Sequence, residues 1–497
     1  MSRGILRQKL DNLYQSKTRR WVAIILGILE LFWFSGYYYG FNSLIPAWKS
    51  LRVFAYNCSD TSNTCMYYDY MFGNGFVVWI VTQMCLITFA GLIMDKVGLR
   101  AMKLIAVCLY FIGTVLFAYI HGDTESLYFI SGILVALGST SNLICNHQIT
   151  SMFPKYRGIC ISLLSGAFDS STLIVFIFSK TYTQLSLQTS FTILAVTSLC
   201  VGLFMAIFIL TTKSGDMSRF AYSNEMVENS HLKGRERVKA PSDGTNGNTE
   251  KMLPSEEGTN NVDVSRRVNT IIELRYQSLK DCILSLPFLM IAIWFTIGLF
   301  RFSTFLGQLQ RLIYESFGDD EATVDHVLQI SSAFSMCGFL AAPITGFILD
   351  TSQAYCRRKI ARNTNWSIDS SESYENKIYY TYVFGLAPGL FIMAVCAVFV
   401  SGLVFIPKVI AFYAAFVFLV MLRSLLFSAS VGFCLIAFPI HYFGTVNGIL
   451  NTIGGVFSLL QYAFQYTPTA SIANIIATVV TFGLFIPPIV LFKMSRR

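Results

Sequence analysis

Long apolar runs separated by short polar segments dominate the chain. A helix needs about 20 predominantly apolar residues to cross the hydrocarbon core of a bilayer. Twelve runs approach or exceed that length, and we number them span one to span twelve: 21–45, 71–94, 102–121, 126–152, 158–180, 187–212, 282–306, 324–350, 379–404, 408–437, 444–466 and 470–493. The pattern predicts an all-α integral membrane protein with twelve transmembrane helices.

The composition agrees with a membrane protein and excludes an ordinary soluble domain. Hydrophobic residues make up 54% of the chain, charged residues only 13%, and there are 43 Phe. A polytopic membrane protein requires that balance. The net charge of +9 reflects the Lys and Arg bias of cytoplasmic loops. We therefore expect the lipid bilayer as a partner and no nucleic acid polymer.

Polar segments divide the chain into predicted domains. Residues 1–20 are basic and show no small-residue cleavage site, so we expect an uncleaved cytoplasmic N-terminus. Residues 213–280 are rich in Lys, Glu, Ser, Asn and Gly, which predicts a disordered cytoplasmic linker. Its end, 264–280, has helical spacing and is either the helical end of a solvated linker or an amphipathic helix on the membrane surface. The remainder is predicted as six-helix bundles at 21–212 and 281–494 and a cytoplasmic tail at 495–497.

The charges of the loops predict an orientation. Lys96, Arg100 and Lys103 follow span two, and four basic residues lie within 357–362 after span eight. The loops near 121–125 and 315–321 contain no Lys or Arg. Because cytoplasmic loops carry an excess of Lys and Arg, both termini are predicted to be cytoplasmic.

A repeated motif relates the two halves of the chain. Gly91-Leu-Ile-Met-Asp95 ends span two, and Gly346-Phe-Ile-Leu-Asp350 ends span eight, about half a chain length later. The turns after spans four and ten also match, since both contain Phe-Pro followed by a Gly that opens the next helix. Such internal repeats predict two related halves that rock around a central cavity.

The repeated motif also predicts a conformational gate. Asp95 is expected to cap or pair with a neighbouring helix end when the cytoplasmic side is closed, and Asp350 to do so more weakly. The second copy lacks the Lys-x-Gly-x-Arg tail of the first. The predicted gate residues are Gly91, Asp95, Lys96, Gly98, Arg100, Gly346 and Asp350.

Four ionisable residues stand out within the predicted spans: Glu30, Asp169, Arg301 and Arg423. Each is costly in a bilayer, by roughly 2.5–3.5 kcal/mol on insertion scales. They are either permanent ion pairs that hold the halves in one state or the lining of a water-filled cavity, and we favour the cavity. The polar candidates for the same substrate-binding cavity are Asn146, Gln148, Asn447 and Asn451, although such amides also join helices.

The loop between spans one and two is predicted to be external. Asn57 begins an Asn-Cys-Ser glycosylation acceptor there. Cys58 and Cys65 are the other notable residues of the loop, and they form either a disulfide or two free thiols.

No pattern in the chain indicates an enzyme or a cofactor. A phosphate-cradling Gly-Lys-Ser/Thr loop, a spaced His/Cys metal set and a Ser-His-Asp arrangement are all missing. This argues against an ATP-driven pump. Transport would then be facilitated diffusion or coupling to an ion gradient.

Several segments resemble a known family. The stretch from Gly91 to Arg100 resembles the signature loop of the major facilitator superfamily. More narrowly, 29–44 resembles the first span of solute carrier family 43, 166–171 its fifth span, and 423–444 its tenth span and following turn. The resemblance covers nearly all of the membrane part and excludes the linker.

The resemblance implies a major facilitator fold and a small-molecule substrate. The family contains sodium-independent facilitators of large neutral amino acids and a branch that equilibrates purine nucleobases. Asp169, Asn146 and Gln148 are similar to the nucleobase branch, whereas Arg301 with Gln310-Arg311 is more similar to the amino-acid branch. We favour a nucleobase, and we expect a monomer in the plasma membrane. A large neutral amino acid facilitator, a proton-coupled symporter using Glu30 or Asp169, and a non-transporting nutrient sensor are the alternatives.

Overall fold

The computed structural model describes residues 17–55, 66–212, 257–318, 320–362 and 372–496, and these ranges contain helices and turns but no strand. Because lipid offers the backbone no hydrogen-bond partner, the backbone N–H and C=O groups must bond to each other, and helices achieve this within each segment. The α-helices are Lys17–Phe34, Ile45–Ser50, Met66–Lys96, Leu99–Ala118, Leu127–His147, Arg157–Ser170, Thr172–Thr181, Leu187–Phe204, Glu257–Arg275, Leu279–Ile283, Leu286–Phe317, Glu321–Met336, Gly338–Arg362, Glu372–Phe384, Ala387–Leu403, Val409–Ala437, Phe443–Ser458, Ala470–Thr481 and Ile486–Arg496.

Most of the predicted spans are confirmed. Among the described residues, ten helical stretches are long and apolar enough to cross a membrane, and an eleventh is a pair of helices bent by 42°. Span eight falls outside this count. It consists of Glu321–Met336 and Gly338–Arg362, the first of which contains several serines and the second of which extends into the basic segment. The sequence thus predicted the all-helical fold correctly, while the twelfth crossing rests on these two less apolar helices.

Span three begins earlier than predicted, and Lys103 lies well inside the helix rather than among the loop residues with which the charge analysis grouped it. Gly98 has a φ of +127°, a conformation that a glycine adopts without a steric penalty. The helix Leu99–Ala118 therefore starts directly after span two, and Lys103 lies in its second turn with no exposed surface. The prediction that Lys103 belongs to a cytoplasmic loop is wrong.

Spans one to six (the N-terminal half) and spans seven to twelve (the C-terminal half) meet along two seams. Span two packs against span eleven, and span five packs against span eight. Glycines allow the close approach in both seams. A Cβ atom at Gly91 would overlap the carbonyl of Gly444, and one at Gly346 would overlap the backbone of Ile159. Spans two and eight occupy equivalent positions in the two halves, as do spans five and eleven. Each seam therefore pairs the same two kinds of span, as expected for related halves.

The helix before span seven packs against the C-terminal half. Glu257–Arg275 buries Val268, Ile271 and Ile272, which lie on one face of the helix. At its end, the Arg275 guanidinium lies over the ring of Tyr379 and donates to the Asn376 side chain. The helical spacing of 264–280 therefore corresponds to a helix whose apolar face contacts protein.

Candidate functional site

A central cavity lies between the two halves. Its empty volume is about 620 Å³, including the part open to solvent. Spans one, two, four and five contribute from the N-terminal half, and spans ten and eleven from the C-terminal half. The lining residues are Tyr39, Gln83, Met84, Thr140, Leu143, Ile144, His147, Ser165, Phe168, Asp169, Arg423, Phe427, Ser430, Val431, Asn447 and Asn451.

An ion pair crosses this cavity from one half to the other. Arg423 Nη2 of span ten donates to Asp169 Oδ1 of span five at 2.6 Å, and both side chains are almost fully buried. The pair replaces the water that each charge would otherwise need, which offsets part of the desolvation cost. Arg423 Nε is buried without an acceptor among the described residues. The pair thus retains a donor that a further group could use.

Aromatic rings surround the ion pair. The Arg423 guanidinium carbon lies 5.4 Å from the centre of the Tyr39 ring and 5.6 Å from that of Phe302, within the range of a cation–π interaction. Tyr39 also meets Phe168 edge to face, with ring centres 6.1 Å apart. Tyr39, Phe168 and Phe427 line the cavity and give it flat apolar walls beside a charged edge.

Neutral polar groups line the rest of the cavity. His147 Nε2 and Ser165 Oγ are 3.3 Å apart, and Gln83 Oε1 accepts a hydrogen bond from the Tyr38 hydroxyl at 2.5 Å. Asn447 Oδ1 is buried and has no donor among the described residues. Asn451 Nδ2 donates to the backbone carbonyl of Asn447, which uses one of its two N–H donors. The cavity therefore offers both donors and acceptors to a polar molecule.

Four of the eight predicted substrate-binding residues line the cavity: Asp169, Arg423, Asn447 and Asn451. The sequence also indicated the opposite charges in spans five and ten. It did not single out Gln83, Phe168 or Phe427 as cavity residues. The sequence alone does not show whether a single amide or aromatic side chain in an apolar span faces the cavity, a neighbouring helix or the lipid.

Glu30 and Asn146 do not line the cavity, contrary to prediction. Glu30 Oε2 accepts from Lys103 Nζ at 2.7 Å and from Asn146 Nδ2 at 2.8 Å, while Lys103 Nζ also donates to Asn146 Oδ1 at 2.9 Å. These three residues, which we call the Glu30 triad, join spans one, three and four inside the N-terminal half. The sequence missed this pairing because Lys103 was assigned to a loop.

Arg301 and Gln148 also lie away from the central cavity. Arg301 is only 1% exposed, and its Nε and Nη2 atoms have no acceptor among the described residues. Its guanidinium carbon lies 5.7 Å from the Phe305 ring centre, one turn further along the same helix. Gln148 is fully buried, and neither of its side-chain polar atoms has a described partner. The direct cavity contact predicted for these two residues is therefore not observed.

The two motif aspartates cap helices of the opposite half. Asp95 accepts from the backbone amides of Gly444 at 3.1 Å and Thr445 at 2.6 Å, at the start of span eleven. Asp350 accepts from Gly158 at 2.7 Å and Ile159 at 2.9 Å, at the start of span five. The first amides of a helix lack intrahelical partners and carry a partial positive charge, so a carboxylate binds well there.

The other predicted gate residues have different contacts. Lys96 is exposed, whereas Arg100 Nη2 donates to the Leu210 carbonyl of the same half at 2.9 Å. Gly98 provides the turn into span three. Only the two aspartates, with the glycines one turn earlier, contact the opposite half. Their distances show no weaker contact at Asp350, although the sequence led us to expect one.

The described hydrogen bonds between the two halves are concentrated on one side of the molecule. Asp95 and Asp350 lie at one end of the spans, and Asp169 and Ser170 lie further along them. Among the described residues, every hydrogen bond between the halves falls in the part of the spans from Asp169 and Ser170 to the Asp95/Asp350 end. Hydrogen bonds therefore hold the two halves together on the Asp95/Asp350 face.

The predicted glycosylation site and disulfide lie outside the described residues. Asn57, Cys58 and Cys65 all belong to 56–65. The ten described cysteines are free thiols, and six of them are buried. Within the described ranges, no group of His, Cys, Asp or Glu side chains is arranged to hold a metal ion.

Comparisons with known proteins agree with this architecture. Residues 32–462 match the family model described as Major Facilitator Superfamily. The chain is 25% identical over 457 residues to equilibrative nucleobase transporter 1 of Bos taurus, covering 89% of this chain and 88% of that protein. It is 24% identical over 176 residues to large neutral amino acids transporter small subunit 3 of Homo sapiens, covering 32% of each.

Solved structures show the same fold. The human organic anion transporter MFSD10 (TETRAN) superposes with a TM-score of 0.51 at 13% identity, covering 95% of this chain and 99% of that one. A double Trp variant of XylE gives a TM-score of 0.51 at 13% identity, covering 95% of this chain and 94% of that one. The family resemblance predicted from the sequence is thus confirmed. The chain belongs to the Major Facilitator Superfamily and is a multi-pass membrane transporter of small molecules rather than an enzyme.

Proposed function

We propose that this transporter carries a purine nucleobase by sodium-independent, facilitative alternating access. The central cavity carries the proposal, because it places an acidic and a basic side chain beside flat aromatic walls. Stacking of a base on an aromatic side chain contributes about 1–3 kcal/mol. Asp169 would accept from a ring N–H group, and Arg423 would donate to a ring nitrogen or a carbonyl oxygen.

The relatives support the same substrate class. The match to the nucleobase transporter of Bos taurus extends over 89% of this chain, whereas that to the amino acid transporter of Homo sapiens extends over 32%. A large neutral amino acid remains the second candidate. One observation favours it, since Asp169 and Arg423 would also suit the ammonium and carboxylate groups of an amino acid.

The carboxylates support facilitation over proton coupling. Of the two candidate proton sites, Glu30 lies in the Glu30 triad away from the cavity, and Asp169 already pairs with Arg423. A proton-coupled symporter would show faster uptake at acidic external pH and loss of uptake with an uncoupler. We expect neither dependence.

We propose that the Asp95/Asp350 face is cytoplasmic and that both termini lie on that side of the plasma membrane. The basic residues near the ends of spans two and eight support this orientation. Asp95 and Asp350 would then act as two latches that hold the cytoplasmic side closed, with the cavity open toward the outside. We expect the monomer to be the transporting unit.

Uptake in expressing cells tests the substrate. We expect saturable uptake of radiolabelled adenine that is unchanged when choline replaces sodium and is not inhibited by excess leucine. Saturable leucine uptake without adenine uptake would instead identify the amino acid facilitator. Saturable uptake of neither would overturn both substrate proposals and favour the nutrient sensor, whose signalling should depend on the 213–280 linker.

A further inference from the structure

A second cavity, which the proposed transport does not use, opens near the Asp95/Asp350 face between spans five, eight, nine and ten. Its empty volume is about 350 Å³, including the part open to solvent. Arg157 of the N-terminal half and Arg357 of the C-terminal half both line it, together with Asp350 and Gln353. We call it the arginine cavity.

The two guanidinium groups donate almost no hydrogen bonds to the described residues. Arg157 Nη1 makes one long contact, 3.4 Å to the Leu435 carbonyl, and its Nε is buried without an acceptor among the described residues. Arg357 donates no hydrogen bond to any described residue, and its Nε is also buried. An arginine has five N–H donors in a planar fork, and burial without acceptors is costly.

Asp350 attracts both guanidinium groups electrostatically but accepts no hydrogen bond from either of them. Its two oxygens accept from the backbone amides of Gly158 and Ile159, and no described ion pair joins it to either guanidinium. The cavity therefore contains two cations and one anion that is already bound to a helix N-terminus. That N-terminus adds a partial positive charge. The excess of positive charge and of free donors favours a small anion with several acceptor oxygens.

We infer that the arginine cavity binds a phosphate group between Arg157 and Arg357. Arginine forks match the geometry of phosphate oxygens. Gln353 Oε1, which is buried and has no described donor, offers an acceptor for the hydroxyl of hydrogen phosphate. Because one arginine comes from each half, the anion bridges the halves only while this face is closed. It therefore stabilises the closed state and slows opening on this side.

Thermal unfolding of the purified full-length protein tests this site without any transported substrate. We expect sodium phosphate to raise Tm relative to sodium chloride at equal ionic strength, in a saturable manner. Arg357→Gln should remove that shift, whereas Lys359→Gln, an equal charge change at an exposed position of the same helix, should retain it. Arg357→Lys should weaken the apparent phosphate affinity, since it keeps the charge and loses the fork.

A second set of unfolding measurements distinguishes free phosphate from a lipid headgroup as the source of the phosphate group. The protein is mixed with vesicles of phosphatidylcholine, with or without phosphatidylinositol 4,5-bisphosphate. A Tm shift that requires the anionic lipid and is absent with free phosphate assigns the site to a lipid headgroup, provided that Arg357→Gln abolishes it. No shift with either ligand in the wild-type protein, or a shift that Lys359→Gln and Arg357→Gln reduce equally, would overturn the inference.

Discussion

Asp169 and Arg423 neutralise each other across the cavity, so a polar substrate that binds between them must replace part of their interaction. The sequence identified both residues, because an acid in span five and a base in span ten each demand an explanation in a bilayer. In the structure the two residues form an ion pair and also line the cavity, and whether the pair is permanent is what the next prediction tests. Glu30 looked equivalent in the sequence. It differs through its partners Lys103 and Asn146, and the sequence analysis had grouped Lys103 with the loop charges.

Removing either charge of the cavity pair should abolish or alter transport. We expect Arg423→Ala to lose adenine uptake while surface expression persists, because the donors to the substrate disappear. Asp169→Asn should change affinity or substrate preference, since an amide offers a single acceptor oxygen and a competing N–H donor. Uptake assays with surface biotinylation would show this. Loss of surface protein in both variants would instead favour a permanent structural ion pair.

The Glu30 triad should matter for stability and not for substrate affinity. Lys103→Met leaves a buried carboxylate without its cation, and breaking such a pair costs about 3–5 kcal/mol. We expect a large fall in Tm for this variant and recovery of most of it in Glu30→Gln with Lys103→Met. A double variant as unstable as the single variant would contradict the local pairing.

Helix ends form hydrogen bonds that join the two halves on the Asp95/Asp350 face. The Gly-x-x-x-Asp motif predicted that Asp95 would cap a neighbouring helix, and it also located the equivalent residue Asp350. The sequence could not indicate that the two contacts would be alike, since only the first copy of the motif carries the basic tail. The capping carboxylate does not use that tail, because it binds backbone amides of the opposite half. The sequence also did not indicate the break in span eight between Met336 and Gly338. There Ser170 donates to the Met336 carbonyl and accepts from the Phe339 amide, so a residue of span five satisfies the interrupted backbone.

Asp95→Asn should loosen the start of span eleven. Asparagine has one acceptor oxygen and no charge, so one of the two charge-assisted bonds is lost and the other weakens. Hydrogen bonds to charged groups contribute about 1.5–3 kcal/mol, which corresponds to at least roughly tenfold faster amide exchange. Hydrogen–deuterium exchange of peptides containing Gly444 and Thr445 measures this change.

Two controls make that result specific. Lys96→Gln changes the neighbouring exposed residue of the same motif and should leave exchange at Gly444 unaltered. Asp350→Asn should speed exchange at Gly158 and Ile159 by a similar factor, because the two capping geometries are alike. Unchanged exchange in both aspartate variants would show that the caps do not hold the closed face together.

At the scale of the whole molecule, the two halves enclose a cavity and are hydrogen-bonded to each other on the Asp95/Asp350 face. The repeat in the sequence predicted this two-half architecture, and the family comparison confirmed the fold. The packing of the halves lay beyond prediction, because it depends on close glycine contacts such as Gly91 with Gly444, which follow from three-dimensional fit. Transport on our proposal requires both seams to separate on the Asp95/Asp350 face while the opposite ends of the spans approach.

Exchange of radiolabelled adenine by the purified protein in liposomes tests the central proposal most directly. The liposomes are loaded with unlabelled adenine, and neither a sodium gradient nor a pH gradient is applied. We predict transient, saturable accumulation of label that is lost in Arg423→Ala and retained in Arg358→Ala, an exposed arginine. Absence of adenine exchange, or exchange of leucine alone, would contradict the account.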